Sequence, residues 1–267
     1  FSNLEYSVNN SEWASVAIGT EIPFGGAKGD LRLRGINPNG TATELYAYST
    51  IKFTEANVNV ACTGDIRTLQ DWRNYNIVET NNARFCSLFE NCSVLTSAPK
   101  LPATKLAVSC YTSMFAGCTS LTAAPELKTT ELAASCYNNM FYGCTSLTSA
   151  PELKATTLAN GCYFGMFNGC ASLTAAPKLP ATELERLCYG DMFCNCTSLE
   201  SAPELPATKL AENCYYEMFS GCTSLTSAPK LSAIELAEAC YCKMFRGCEN
   251  LSSVTMLAPS DKIKNTS

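Results

Sequence analysis

Histidine is absent from this 267-residue chain. Ser–His and Cys–His nucleophile pairs, histidine metal ligands and histidine acid–base work are therefore excluded. Charge of one sign is also scarce. Nineteen Lys and Arg stand against 24 Asp and Glu, a net charge of −5. No long run of either sign gives the footprint of a nucleic-acid binder, so no nucleic-acid partner is expected. No segment approaches the ~20 consecutive apolar residues of a membrane span, so no transmembrane span is expected. No CxxC pair exists, and the short pairs Cys194–Cys196 and Cys240–Cys242 are not metal knuckles, so neither a metal nor a cofactor is expected. The chain opens on Phe1, with neither an initiator Met nor a signal peptide, which implies a processed or trimmed form.

What is present is a 46% hydrophobic composition, enough to bury a core, and 17 cysteines. Two rows hold 13 of them at a period of 26 residues. One row is Cys110, Cys136, Cys162, Cys188, Cys214 and Cys240. The other runs from Cys92 through Cys118, Cys144, Cys170, Cys196 and Cys222 to Cys248. The strays are Cys62, Cys86, Cys194 and Cys242. Around the rows runs one phrase, roughly CYxxMFxGCTSLTxAPxLxATxLAxx, in six good copies and one degenerate copy near Phe85–Lys105. A cysteine recurring at one place in every copy reads as a small buried apolar residue, so a ladder of buried thiols is expected rather than disulfides. Cys194 and Cys242, on variable positions, are the expected accessible thiols.

In Leu210–Phe219 the apolar residues Leu210, Ala211, Cys214, Tyr215, Met218 and Phe219 fall at i, i+1, i+4, i+5, i+8 and i+9. That spacing predicts a short helix with one apolar stripe. Gly117, Gly143, Gly169, Gly221 and Gly247, with Asn91 and Asn195 in the same row, predict a left-handed cap with positive φ. Ser120–Ala124 and its equivalents read as short parallel strands, each ended by a proline of the row Pro99 to Pro229. No unit of this kind buries its own stripe, so copies must stack. The expected fold is α/β: a right-handed solenoid of about seven repeats, with strands inside and helices outside.

This is the logic of leucine-rich repeats, and the sequence resembles one branch of them, the BspA-like leucine-rich-repeat cell-surface proteins of anaerobic bacteria. The resemblance rests on MFAGCTSLTAAPEL (Met114–Leu127), MFYGCTSLTSAPEL (Met140–Leu153), MFSGCTSLTSAPKL (Met218–Leu231) and the connecting LPATKLAENCYYEMF (Leu205–Phe219). It covers about two thirds of the chain, from about residue 80 onward. It implies display at a bacterial cell surface or secretion, and adhesion to host proteins or other cells.

Residues 1–62 have another texture, with no cysteine before Cys62. Leu4, Tyr6 and Val8 alternate, Asn9-Asn10-Ser11 turns, and Glu12–Ile18 runs back, a hairpin signal. Ile22–Phe24, Asp30–Ile36, Leu45–Phe53 and Asn57–Cys62 are further strand candidates, separated by Gly25-Gly26, Asn37–Gly40 and Glu55-Ala56. The expected organisation is a β-rich segment over 1–62, a linker and cap over 63–82, the solenoid over 83–257 and a tail over 258–267. Ile66, Leu69 and Trp72 are the expected cover for the first repeat.

No isolated constellation of nucleophile and base stands out, so no enzyme activity is expected. The rows that vary in charge mark the solvent side. Lys100, Glu126, Glu152, Lys178, Glu204 and Lys230 form the candidate binding ridge, for a protein or polysaccharide partner. Lys105, Glu131, Thr157, Glu183, Lys209 and Glu235 form a second charged row. Thr96, Thr122, Thr148, Thr174, Glu200 and Thr226 make a neutral strand-side row. The alternative is an architectural stalk with no ligand of its own.

Overall fold

The computed structural model describes residues 3–24, 26, 28–44, 47–54 and 58–262. The expected strands Leu45–Phe53 and Asn57–Cys62 begin outside those residues. The turn residues Gly25, Glu55 and Ala56 and the tail from 263 onward lie outside them too.

From about Phe85 to Leu257 the 26-residue copies stack as successive coils. Single parallel bridges at or near that step join Leu101 to Leu127, Lys105 to Glu131, Ala123 to Ser149, Ala175 to Ser201, Ser201 to Ser227, and Leu231 to Met256. Equivalent side chains form columns. Phe89, Phe115, Phe141, Phe167, Phe193, Phe219 and Phe245 stack with ring centroids 5.6–5.8 Å apart and planes within 6°. A tyrosine column runs beside it from Tyr111 to Tyr241 at 5.6–5.9 Å. Met114, Met140, Met166, Met192 and Met218, and Leu121, Leu147, Leu173, Leu199 and Leu225, are fully buried between them.

The stretch expected to be helical is not helical. Among the described residues the one α-helix is α1, Thr68–Asp71. Cys110–Phe115 and its equivalents form a ribbon of linked turns with two alternating kinds of hydrogen bond. The N–H groups of Cys110, Thr112, Met114, Ala116 and Cys118 donate to the carbonyl three residues back, at 3.1–3.3 Å. Those of Ser109, Tyr111, Ser113, Phe115 and Gly117 donate instead to the next coil, on Ala134, Cys136, Asn138, Met140 and Tyr142, at 2.7–2.9 Å. Every fourth residue is left-handed: Ser109, Ser113 and Gly117 in one coil, Gly161, Gly165 and Gly169 two coils on.

Spacing explains the difference. An α-helix spends its N–H groups on itself and is ~10 Å across with side chains. Coils whose rings stack at 5.7 Å leave no room for that, whereas a flat ribbon can give half its N–H groups to its neighbour. The apolar pattern also fits the ribbon better. Two residues in and two out repeat every 4.0 residues, while a 3.6-residue helix would drift by ~40° per step. The expected positive φ at Gly117 and its equivalents is present, from 57° at Asn195 to 75° at Gly169. It marks the last of three left-handed positions, not a helix cap. Of the strands expected at Ser120–Ala124 and its equivalents, the one in the first coil forms, at Leu95–Ser97, while the later ones reduce to single bridges, and the spacing mismatch that would curve a strand-and-helix stack is absent.

The thiols do more than fill space. Sγ of Cys118, Cys144, Cys170, Cys196 and Cys222 each donates at 3.1 Å to a phenylalanine carbonyl of the preceding coil, Phe89, Phe115, Phe141, Phe167 and Phe193 in turn. Among the described residues no disulfide forms, and fourteen cysteines are buried. Cys194 is one of them at 8% exposure, against expectation; the partly exposed ones are Cys62, Cys242 and Cys248. Burial pushes the Cys144 thiol up to about 12.

In the front segment, strands β1 (Leu4–Val8), β2 (Ala14–Ser15) and β3 (Leu31–Gly35) make an antiparallel sheet ordered β2-β1-β3. The expected hairpin forms around Asn9 and Asn10, both with positive φ. Strands β4 (Ala42–Glu44) and β5 (Ala47–Tyr48) form a second, short pair. Strand β6 (Val60–Ala61) pairs parallel with β7 (Leu95–Ser97) of the first coil. Asp65 bridges to Lys100, and the N–H groups of Thr41 and Ile51 donate to Arg84 and Leu88, both at 2.7 Å. Ile51 also accepts the Cys92 thiol, as Phe89 accepts Cys118. The described residues between Gly40 and Ile66 therefore stand where a preceding coil would. Of the three expected cover residues, Ile66 and Leu69 join the core. Trp72 is half-buried and packs on Arg34, whose guanidinium lies 3.9 Å from the ring centroids of both Trp72 and Trp13.

Candidate functional site

The stack brings each row of the sequence onto one edge, because equivalent residues lie one coil apart. All six ridge residues, Lys100, Glu126, Glu152, Lys178, Glu204 and Lys230, are exposed. Their environments differ. Glu126 pairs with Lys128 at 3.6 Å and Glu152 with Lys154 at 3.4 Å, within their own coils. Lys178, Glu204 and Lys230 make no ion pair among the described residues. The second row does pair along the stack, Lys105 with Glu131 at 3.1 Å and Glu183 with Lys209 at 2.9 Å. At such exposure each pair contributes about 0–1 kcal/mol. The strand-side threonines bond sparsely from coil to coil, Thr148 Oγ1 to Thr122 O at 3.2 Å for example.

The ribbon side carries a singular polar group that the sequence reading did not single out. Asp191, Cys194 and Glu217 offer two carboxylate oxygens and a thiol, all within 4.8 Å of one another. Asp191 and Glu217 are 26 residues apart, so the period alone makes them neighbours. Lys243, one further step on, lies 3.2 Å from Glu217 Oε1 and 3.4 Å from the Tyr216 hydroxyl. Those two partners hold Glu217 below its ordinary range, the Tyr216 hydroxyl bond being the larger cause. Asp191 moves the other way, up to about 6, through burial first and the Glu217 charge second. Its Oδ1 is buried without a hydrogen-bond partner. Burial also pushes the Cys194 thiol up to about 11. A protonated thiol and a carboxylate already neutralised by lysine make a poor cation site. The arrangement suits one proton held on Asp191 beside an ionised Glu217.

That arrangement makes stability depend on pH. The folded chain binds the Asp191 proton more tightly than the unfolded chain, so stability rises as pH falls from about 6 toward 4. Above 6 the ionised Asp191 is a net cost. Asp191→Asn should therefore stabilise the protein at pH 7.5 by about 1 kcal/mol, a value discounted for partial solvent contact. The gain should vanish at pH 3.5. Urea titrations of both proteins at the two pH values measure it; an equal difference at both would show that Asp191 is not strained by its charge.

One open cleft, of about 490 Å³, lies where the front segment meets the first coils. Asn39, Thr43, Asn82, Arg84, Leu106 and Val108 are among the residues that line it. Arg84 is committed there, donating to the carbonyls of Val108 at 3.0 Å and Thr43 at 3.2 Å. No helix among the described residues is long and apolar enough to cross a membrane. Compared with known proteins, the chain matches no family model, no curated protein and no solved structure.

Proposed function

We propose that this chain is a non-catalytic, adhesin-like protein, secreted or displayed at a bacterial surface, which binds a macromolecule through its repeat surface. The proposed architecture is a right-handed leucine-rich-repeat solenoid of the BspA-like kind. The observation that carries the reading is the ridge. Lys178, Glu204 and Lys230 stand on three successive coils, exposed and without ion pairs among the described residues, on a backbone fixed by buried columns. An array of about seven coils is roughly 30 Å long at sheet-like spacing. A surface of that length suits a protein or a polysaccharide, whereas a metabolite wants one concave pocket with a few convergent polar groups.

The test is a binding screen of the chain against immobilised matrix proteins and glycans, followed by Lys178→Ala, Glu204→Ala and Lys230→Ala together. The triple variant should lose most binding while its urea midpoint stays within about 0.5 kcal/mol of the parent in stability. Binding that survives the triple change would move the site off the ridge. The strand-side row, threonine at all but Glu200, favours a second reading, an architectural stalk, and a screen without any bound partner would select it.

A further inference from the structure

None of the residues lining the cleft between the front segment and the first coils belongs to the ridge. Its volume of about 490 Å³ falls within the ~300–1,000 Å³ of small-ligand sites. It shares Asn39 and Thr43 with a second recess of about 260 Å³, lined also by Thr41, Tyr48 and Ser49, so the two adjoin as one groove. Much of its polar wall is unspent. The side-chain amides of Asn39 and Asn82 are exposed and make no hydrogen bond among the described residues. Asn81 spends its amide N–H on Glu79 Oε2 at 2.7 Å, which leaves its amide oxygen to accept. Thr41 is only 2% exposed, and its hydroxyl is buried without a hydrogen-bond partner. Buried hydroxyls are nearly always paired, so an unspent one in the wall of a recess points to a polar occupant.

The chemistry of the lining narrows the occupant. Side-chain amides and hydroxyls both donate and accept, as does every hydroxyl of a sugar. The one cation, Arg84, already donates to the carbonyls of Val108 and Thr43. No carboxylate or lysine is among the described lining residues, so the groove suits neither a charged group nor a metal ion that would bridge to a sugar. Apolar surface stands beside the amides. Val108 is 51% exposed, with Leu106 and Ala107 buried next to it, and Tyr48 brings a ring, 42% exposed, to the second recess. Such surface takes the C–H faces of a pyranose, while the amides take its hydroxyls. We propose that this groove is a saccharide-binding site, which holds neutral pyranose units of an oligosaccharide by direct hydrogen bonds to Asn39 and Asn82 and apolar contact with Val108. Arg84 makes the site rigid. It ties Val108 of the coil to Thr43 of the front segment, so the two walls stand in place before a sugar arrives and little ordering is left to oppose binding.

The probe is a printed array of neutral oligosaccharides built from glucose, galactose, mannose and N-acetylhexosamines. Sialylated and uronate glycans and short peptides share the slide, and the buffer contains EDTA. The intact chain should bind neutral glycans there. Asn39→Ala with Asn82→Ala should weaken that binding roughly tenfold or more, as expected for two lost hydrogen bonds. Val108→Asp, which puts a charge on the apolar wall, should abolish it. All three positions are exposed, so circular dichroism and the urea midpoint should stay those of the parent. The triple variant at Lys178, Glu204 and Lys230 should bind the same glycans as the parent. Four results overturn the proposal: no neutral glycan bound, binding confined to charged glycans or peptides, binding that appears only when calcium replaces EDTA, or equal binding by the double asparagine variant. Glycan binding lost in the triple variant and kept in the asparagine variant would place it on the ridge and overturn the groove. A ridge that binds nothing leaves the groove untouched, because the two sites share no residue.

Discussion

Replacing Phe167 by alanine should cost about 3–5 kcal/mol, one of the two largest effects expected of any single change. Phe167 is fully buried in the middle of the column, 5.7 Å from Phe141 on one side and 5.7 Å from Phe193 on the other. Alanine would remove a ring's worth of buried surface and break two stacked pairs, each worth about 0.5–1.5 kcal/mol beyond its area. Little can collapse into the space, because the backbone on both sides is tied from coil to coil. The N–H of Phe167 donates to Met192 at 3.0 Å and that of Phe141 to Met166 at 2.9 Å. Its carbonyl also accepts the Cys196 thiol, so the gap would open beside a bond that fixes the next coil. Urea unfolding of the variant measures the loss. The same change at Phe245, half-exposed in the last described coil, should cost about 1–2 kcal/mol. A loss under ~1 kcal/mol at Phe167 would mean that the aromatic column is not what holds the coils together.

The columns were legible in the sequence because a 26-residue period needs only counting, and the stacking of Phe on Phe and Cys on Cys follows from it. The backbone between columns was less legible. Leu210–Phe219 alternates two residues in and two out, and over ten residues a 4.0-residue period looks much like 3.6. The discriminating signal was Gly161 with Gly165, inside a stretch read as helix. Two glycines there would cost a helix ~1 kcal/mol each, whereas left-handed turn positions welcome them. Leu187 and Glu217 occupy the same rows with φ of 57° and 47°, so glycine is not obligatory and the row does not announce itself. The Asp191–Glu217 neighbourhood was legible in principle, since both lie in one row one period apart. That row varies from Ser to Asn, Gly, Asp, Glu and Lys, and such variation reads as solvent exposure, which hides the pair. The front segment resisted most. Ile51 takes a place in the phenylalanine column, yet no 26-residue spacing points to it. The capping residues reach the first coil through irregular backbone, with a step of 35 residues between Val60 and Leu95.

That irregular seal is also the most vulnerable point of the backbone. Gly40 has φ +82° and bridges in parallel to Arg84 of the first coil. A Cβ built on it would lie 2.1 Å from the Arg84 carbonyl oxygen and 2.6 Å from the Arg84 nitrogen. Both are main-chain atoms, so no side chain can swing aside. Gly40→Ala must then either break the left-handed turn or push the segment off the coil. Moving it would release the adjacent bond from Thr41 N–H to Arg84 O, and with it the first of the contacts that carry Ile51 onto Leu88. The expected cost is ~3–5 kcal/mol, from backbone strain plus the apolar end surface exposed when the cover lifts. Gly19 supplies the control. Its φ is +79°, but nothing lies within 4 Å of the added Cβ, so Gly19→Ala should cost only about 1 kcal/mol of conformational strain. The distribution of the damage is as telling as its size. Coils touch only their neighbours, so hydrogen exchange in Gly40→Ala should quicken first at Phe85, Ser87 and Phe89 and fade toward the far coils. If both alanine variants lost the same stability, the close approach of Gly40 to Arg84 would carry no energy, and the front segment would not be what closes the stack.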